Sequence, residues 1–387
     1  MSTIQLPGRG TTEMPPNRFE AFSLELEPEA RPENHRILAE MGSVAAEGGV
    51  ADATNFVDPD FPPPQLKTHF LRDHSRSLLS RNSSPDVGFE WSINPYRGCE
   101  HGCVYCYARP SHEQLGFNAG RDFESRIVVK HDAAAILRRE LAARRWKGEA
   151  IALSGNTDCY QPVERQLRLT RSCLEVLAEA RNATVIITKS ALVTRDIDLL
   201  ASLAKRRAVQ VRISLTTLDP DLARRLEPRA SSPARRLEAI RKLAEAGIPV
   251  GVMASPIIPG LNDSELPAIL GAAAEAGATN ASWILLRLPE PVDEIFLDWL
   301  EKHRPLARRR VENLIRETRA GDLYRSEFGE RMRGSGEYAR QLDGLFHASA
   351  RRFGLDRPLP LLDTRSFRRP ACDGRQLTLA ASAEFDA

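Results

Sequence analysis

The chain has 387 residues, 42% hydrophobic and 27% charged, with a formal net charge of +2. This is ordinary globular usage, and it excludes a wholly disordered or fibrous chain and a uniformly basic coat protein for nucleic acid. No run approaches the ~20 apolar residues that span a bilayer, and Met1 to Pro16 is polar, without the apolar core of a signal peptide. A soluble cytoplasmic enzyme with no membrane contact is expected. Its length allows two or three domains, or one large α/β unit with appendages.

The charge is uneven. Residues 1–60 hold 11 acids and four arginines, net −7, whereas residues 304–375 hold 17 arginines and 10 acids, net +7. Such asymmetry can mark a face for nucleic acid. It can also reflect a chain in which only seven of 54 basic residues are lysine.

In chain order, residues 1–85 read as an extended, partly disordered arm. They are rich in Pro, Glu and Ser, with Pro62-Pro63-Pro64 and Asn82-Ser83-Ser84-Pro85 as breakers and a short helix over Glu33 to Met41. A strand–helix alternation then begins. Strands are predicted at 89–94, 150–153, 184–188, 209–215, 249–254 and 281–286. Helices are predicted at 132–145, 163–181, 194–206, 232–246, 263–276 and 292–303. Thr194 reads as an N-cap, and Ser232 followed by Pro233 as another, with Gly247 closing that helix.

Six such units imply parallel strands buried on both faces. An open doubly wound sheet would place a Gly-rich phosphate turn after its first strand. Here that turn is long and holds cysteines. The α/β fold expected is therefore a partial (β/α)6 TIM-type barrel over residues 86–304, with its site at the C-terminal strand ends. Residues 305–387 form a basic, helical C-terminal extension.

Three of the six cysteines, Cys99, Cys103 and Cys106, lie in the loop Asn94-Pro95-Tyr96-Arg97-Gly98-Cys99-Glu100-His101-Gly102-Cys103-Val104-Tyr105-Cys106-Tyr107-Ala108-Arg109. Three thiolates so spaced can wrap one corner of a 4Fe-4S cube and leave the fourth iron open. Gly98 and Gly102 let the backbone turn around it. The alternative is a closed tetrahedral zinc site, its fourth ligand being His101, His112 or Cys159.

The Cys-x3-Cys-x2-Cys spacing, with an aromatic before the third cysteine, resembles the radical S-adenosylmethionine (SAM) superfamily over about residues 88–290. The Cys-x2-Cys-Tyr run and the later Thr188-Lys189-Ser190 resemble its spore photoproduct lyase-related, "DNA repair photolyase-like" branch. The resemblance implies that Cys99, Cys103 and Cys106 ligate a 4Fe-4S cluster and that SAM chelates the open iron. Reductive cleavage of SAM would then give a 5′-deoxyadenosyl radical that takes hydrogen from a substrate, nucleic acid being one candidate. It implies a flavodoxin- or ferredoxin-type electron donor.

It further implies roles residue by residue. Gly155, Asn156 and Thr157, with Asp158 beside them, would receive the SAM amino group. Lys189 would meet its carboxylate, Ser214 its ribose, and Ile257, in a loop after the fifth strand, its adenine. Asn262 or Asp263 reads more simply as a helix cap. Tyr105, beside the cofactor, and Tyr107 match tyrosines that relay hydrogen. Glu227 or Arg229 could reach SAM or substrate, or form an ordinary loop ion pair. The branch also uses a cysteine as hydrogen-atom donor, and the matching position here is Gly155. Cys159, Cys173 and Cys372 are expected to be bystanders. The radical-generating apparatus is thus indicated and thymine-dimer repair is not. The other class of reading is a non-catalytic iron–sulfur or zinc protein that binds nucleic acid or a protein partner.

Overall fold

The computed structural model describes residues 9–11, 13–15, 17–19 and 67–371. The short helix expected over Glu33 to Met41 and the tail cysteine Cys372 lie outside them.

The strands among the described residues are β1 (His69–Arg72), β2 (Leu79–Arg81), β3 (Trp91–Ile93), β4 (Tyr96–Arg97), β5 (Arg126–Val129), β6 (Ile151–Leu153), β7 (Thr184–Thr188), β8 (Val209–Ser214), β9 (Val250–Ile257) and β10 (Asn280–Leu285). The principal helices are α1 (Ala133–Ala142), α2 (Leu169–Ala180), α3 (Ile197–Ala204), α4 (Pro233–Glu245), α5 (Leu266–Glu275), α6 (Val292–His303), α7 (Pro305–Glu317) and α8 (Gly336–Arg352).

The main sheet runs β10-β9-β8-β7-β6-β3-β2. Its six strands from β3 to β10 are mutually parallel, and β2 joins β3 antiparallel at the edge. This is the expected series of six units, curved as an unclosed barrel with β10 and β2 at its edges. Helices cover its outer face. Ile186, Val211 and Ile213 from the strands, and Leu177, Leu203 and Leu243 from the helices, share one buried apolar cluster. The other faces of β7 and β8, with Val185, Ile187 and Arg212, are half-buried and line the barrel interior.

Several local expectations fail for identifiable reasons. Residues 67–85 are not an irregular arm: β1 pairs with β5, and β2 extends the main sheet. These strands are too short to show a period. The helix expected over 163–181 breaks at Arg168, which takes a left-handed φ of 52°. Thr194 is not an N-cap. Ser190 caps a 3-10 turn, Ala191–Asp196, by accepting from Leu192 N, and α3 starts only at Ile197. Ser232 does cap α4, accepting from Arg235 N.

The C-terminal extension divides. Helices α7 and α8 pack beside the barrel, burying Val311, Ile315, Leu342 and Phe346. The tail then crosses the N-terminal strand ends: Asn280 Nδ2 donates to Arg357 O at 2.7 Å and Asp363 N to Arg207 O at 2.8 Å. That end is closed, and the opposite mouth is left to the loops. Among the described residues no helix is long and apolar enough to cross a membrane.

Ile213 is wholly buried in the middle of the sheet. Ile213→Ala should cost about 2–5 kcal/mol, read as a lower urea midpoint with unchanged slope.

Candidate functional site

The cysteine loop emerges from β3 at the C-terminal mouth. Gly98 and Gly102 take left-handed φ of 78° and 66°, as the tight turn needs. A fully buried arginine holds the loop. Arg109 donates to Cys103 O at 2.9 Å, Ala119 O at 3.1 Å, Gly120 O at 2.8 Å and Gly102 O at 3.3 Å, and pairs with Glu124 at 2.6 Å. Glu124 Oε2 accepts from Gly10 N at 2.8 Å, so the N-terminal segment lies on the loop. Cys99 and Cys103 are buried, Cys106 is half-buried, and all three are free thiols. Burial pushes all three thiols up. Thiolates here call for a nearby cationic centre, which cluster irons would supply.

The residues considered as a fourth zinc ligand are otherwise engaged. His101 Nδ1 is 3.4 Å from Asp158, and burial holds its pKa below the usual value. His112 Nε2 meets Arg126 O at 3.0 Å, and burial brings it down to about 4. Cys159 is packed in the main apolar core, and Cys173 faces the same core from α2. Among the described residues no three His, Cys, Asp or Glu side chains converge as a single metal ion requires. Cluster ligands bind separate irons and need no common point.

The strand ends bring the other expected residues together. Lys189, one residue beyond β7, donates from Nζ to Ser214 Oγ at 2.6 Å and Ser255 O at 3.4 Å. It lies 5.9 Å from the Tyr105 ring centroid and 3.9 Å from Glu227. Asp158 reaches from the turn after β6, accepting from Thr188 Oγ1 at 2.7 Å and Lys189 N at 2.8 Å. Asn156 N and Thr157 N both point to Asn94 Oδ1, at 3.1 and 3.3 Å, and Thr157 Oγ1 donates to Tyr96 O at 2.8 Å. That turn opens with Ser154 at a strained left-handed φ of 70°.

Glu227 is the centre of this network. It accepts from Tyr105 OH and, at 2.6 Å, from Thr216 Oγ1, and pairs with the buried guanidinium of Arg236 on α4. Burial alone would raise its pKa. Arg236, then Lys189, then the Thr216 and Tyr105 hydroxyls outweigh that and hold it at about 2. Arg229 turns away to Glu100, at 2.8 Å. The sequence alone leaves Glu227 undecided and gives no sign of Arg236, Thr216, Arg109 or Glu124. An arginine on an amphipathic helix reads as solvated, and only its partner across the fold marks it otherwise.

Tyr107 differs from Tyr105. Its ring is 46% exposed, its hydroxyl donates to Gly155 O at 3.2 Å, and Arg287 lies over it. Ile257 is not in a loop: it ends β9, wholly buried in the main core. Asn262 is not a side-chain cap. Its amide accepts from Ile258 N at 2.6 Å and donates to Thr216 O at 2.7 Å, tying the β8 and β9 loops together. A Cβ at Gly155 would stand 2.8 Å from Ser92 Cβ, so a cysteine does not fit there as the chain is packed.

A family model described as "Radical SAM superfamily" matches residues 93–273, the cysteine loop and the strands up to α5. The chain belongs to the radical SAM superfamily, whose members use a 4Fe-4S cluster and SAM, and it is a radical SAM enzyme. It is 40% identical over 230 residues to an uncharacterized protein of Mycobacterium tuberculosis, covering 59% of this chain and 68% of that one. An uncharacterized protein of Methanocaldococcus jannaschii is 34% identical over 184 residues, 48% of this chain and 66% of that one. The fold is similar to that of spore photoproduct lyase complexed with dinucleoside spore photoproduct. The TM-score is 0.53 at 18% identity, over 84% of this chain and 94% of that one.

Glu227→Gln should destabilise the protein at pH 7 by about 3–5 kcal/mol, because Arg236 loses its buried counter-charge. A depressed carboxylate stabilises fully above its unfolded pKa of 4.5, and that contribution fades as pH falls toward about 2. Urea titrations from pH 7 to pH 2.5 should show a steeper acid loss in the wild type than in the variant.

Proposed function

We propose that this radical SAM enzyme acts on a nucleic acid or nucleotide, with Cys99, Cys103 and Cys106 as ligands of three irons of its cluster. One observation carries the cofactor assignment. The strand ends place Lys189 and Ser214 in contact, beside Tyr105 of the cysteine loop. When bound, the cluster and SAM supply a 5′-deoxyadenosyl radical, with the electron coming from a flavodoxin- or ferredoxin-type donor.

The protein's residues do the holding. The Lys189 ammonium is a point charge suited to the SAM carboxylate. The polar turn from Gly155 to Asp158 suits its amino group, and Ser214 its ribose. Tyr105, held by its hydrogen bond to Glu227, would stand beside the cofactor. Tyr107, on the exposed side, stands where a substrate arrives and is the better placed of the two to relay hydrogen.

The nucleic-acid reading rests on the basic extension, and the fold divides that support. Arg357, Arg365, Arg368 and Arg369 belong to the tail at the closed end. Arg308 pairs with Glu301 at 3.1 Å, Arg309 is exposed, and Arg310 borders Gly260 in the loop after β9, on the open side. Of the aromatic residues, Phe346 is buried and Phe328 is 59% exposed. The similarly folded lyase was solved with a dinucleoside lesion. Here the cysteine position is Gly155 against Ser92, so the reading extends to the substrate class and not to lesion repair.

Anaerobic reconstitution tests the cofactor assignment. Alanine at Cys99, Cys103 or Cys106 should abolish most iron binding, and Cys159→Ala should retain it. Lys189→Ala should keep its iron and lose roughly tenfold or more in SAM affinity, the worth of one charge-assisted bond. Equal iron loss in Cys159→Ala would refute the open-iron assignment. Colourless protein with stoichiometric zinc would favour the non-catalytic module.

Oligonucleotide binding should weaken steeply with salt, each phosphate contact adding about −0.9 to the slope for duplex and about −0.7 for single strands. Replacing Arg308, Arg309 and Arg310 together by Ala should flatten that slope without changing iron content. Absence of binding at low salt would remove the nucleic-acid reading.

A further inference from the structure

At the mouth of the barrel two guanidinium groups have no carboxylate at ion-pair distance among the described residues. Arg287 lies two residues beyond β10. Its guanidinium carbon is 5.1 Å from the Tyr107 ring centroid and 6.0 Å from that of Tyr324. Its hydrogen bonds are weak or neutral: Nη2 to Tyr324 OH at 3.3 Å and Nη1 to Met332 Sδ at 3.8 Å, while the buried Nε has no partner among the described residues. The nearby acid Asp86 is taken, accepting from Gly329 N at 2.7 Å and from Arg331.

Behind it Arg319 is 1% exposed. Its hydrogen bonds go to carbonyls, Leu286 O at 2.7 Å, Glu330 O at 3.0 Å and Arg331 O at 3.1 Å, and its Nε is likewise buried without a partner among the described residues. Burial, and then the Arg287 charge, bring its pKa down to about 10. Neighbouring arginines are paired: Arg325 with Asp322 and Arg331 with Asp86. Two adjacent positive charges with unused donors, near Asp86 and Glu330 but in ion-pair contact with neither, are costly in a protein that can pair them. The cost is recovered when an anion arrives.

The position says which anion. Arg287 is stacked on Tyr107, and Tyr107 is bonded to Gly155 in the turn proposed for SAM. A group held by Arg287 therefore sits beside the exposed side of the cofactor site, where a substrate enters. The planar fork of a guanidinium held near two rings suits a tetrahedral or planar oxyanion taken up through two donors.

We propose that Arg287, backed by Arg319 and framed by Tyr107 and Tyr324, is the substrate-anchoring subsite and binds an oxyanion, a phosphate ester or a carboxylate, on the substrate. This rests on the reading of the open mouth as the substrate side. The residue is a specificity determinant and takes no part in cluster ligation.

Equilibrium dialysis of radiolabelled pyrophosphate against the full chain at low salt tests it. Binding should saturate at one per chain. Arg287→Gln should weaken it at least tenfold, and Arg287→Lys, charged but without the fork, should fall between. Competition by methyl phosphate and by malonate separates a phosphorylated from a carboxylated substrate. On the unmodified protein, pyrophosphate should slow phenylglyoxal labelling of Arg287, followed by peptide mapping. No saturable binding, wild-type affinity in Arg287→Gln, or unprotected labelling would each overturn the subsite. Iron content and SAM affinity, measured on the same samples, report separately on the cofactor assignment, so either can fail without the other.

Discussion

The mouth of this barrel is organised by one buried carboxylate. Glu227 lies after β8, where a short helix (Pro220–Leu226) ends. An isolated ionised carboxylate cannot be buried at tolerable cost. Here Arg236 neutralises it, Thr216 and Tyr105 hydrogen-bond to it, and Lys189 adds a second positive charge. Each of those groups comes from a different segment: α4, the end of β8, the cysteine loop and the end of β7. Satisfying the charge therefore sets the relative position of the loop, α4 and two strand ends. Tyr105 is the link to the cysteine loop, because it lies between Cys103 and Cys106 and cannot move without them.

The same principle fixes the far side of the loop. Arg109 spends its donors on four carbonyls and one carboxylate, and that carboxylate, Glu124, holds Gly10 against Gly102. A loop with three cysteines and two left-handed glycines is flexible as a sequence. Two buried ion pairs, Arg236–Glu227 and Arg109–Glu124, make it a defined surface. Preorganisation of this kind lowers the ordering cost that binding would otherwise carry.

How much of this is legible in the sequence follows from the range of each interaction. The six strands and their helices are visible because burial on both faces leaves local apolar runs such as Thr184-Val185-Ile186-Ile187-Thr188, and because Ser232-Pro233 and Gly247 mark ends by local rules. The cysteine spacing is local too. What is not legible is pairing across distance. β1 and β5 are 57 residues apart in register, and β4 is only two residues long. Arg236 and Arg109 look like surface arginines in a chain full of them. Ile257 reads as a loop residue because Pro256 and Pro259 flank it, yet β9 continues through Pro256 to end at Ile257. Pro256 has no amide hydrogen to give a neighbouring strand, and the β10 register shifts there, between Trp283 and Leu285.

The basic extension shows how composition misleads when the fold is unknown. Its +7 charge suggests one continuous face, but the chain uses that segment for three tasks. One part pairs arginines with nearby acids along α7 and α8. Another crosses the closed end of the barrel and contacts Arg207 and Ala180 through backbone bonds. The third, Arg319 to Arg333, folds over the end of β10, where Arg319 joins Leu286 to the carbonyls of Glu330 and Arg331. Net charge is a sum over all three and describes none of them. The charge that matters at the mouth is the part left outside any ion pair, and it belongs to Arg287 and Arg319, of which Arg287 lies outside the basic segment altogether. A polyanion drawn by the long-range field would meet exposed arginines first, whereas a bound substrate would be held where desolvated donors still lack a partner. The two effects act at different distances, so affinity for nucleic acid and selection of substrate need not reside in the same residues.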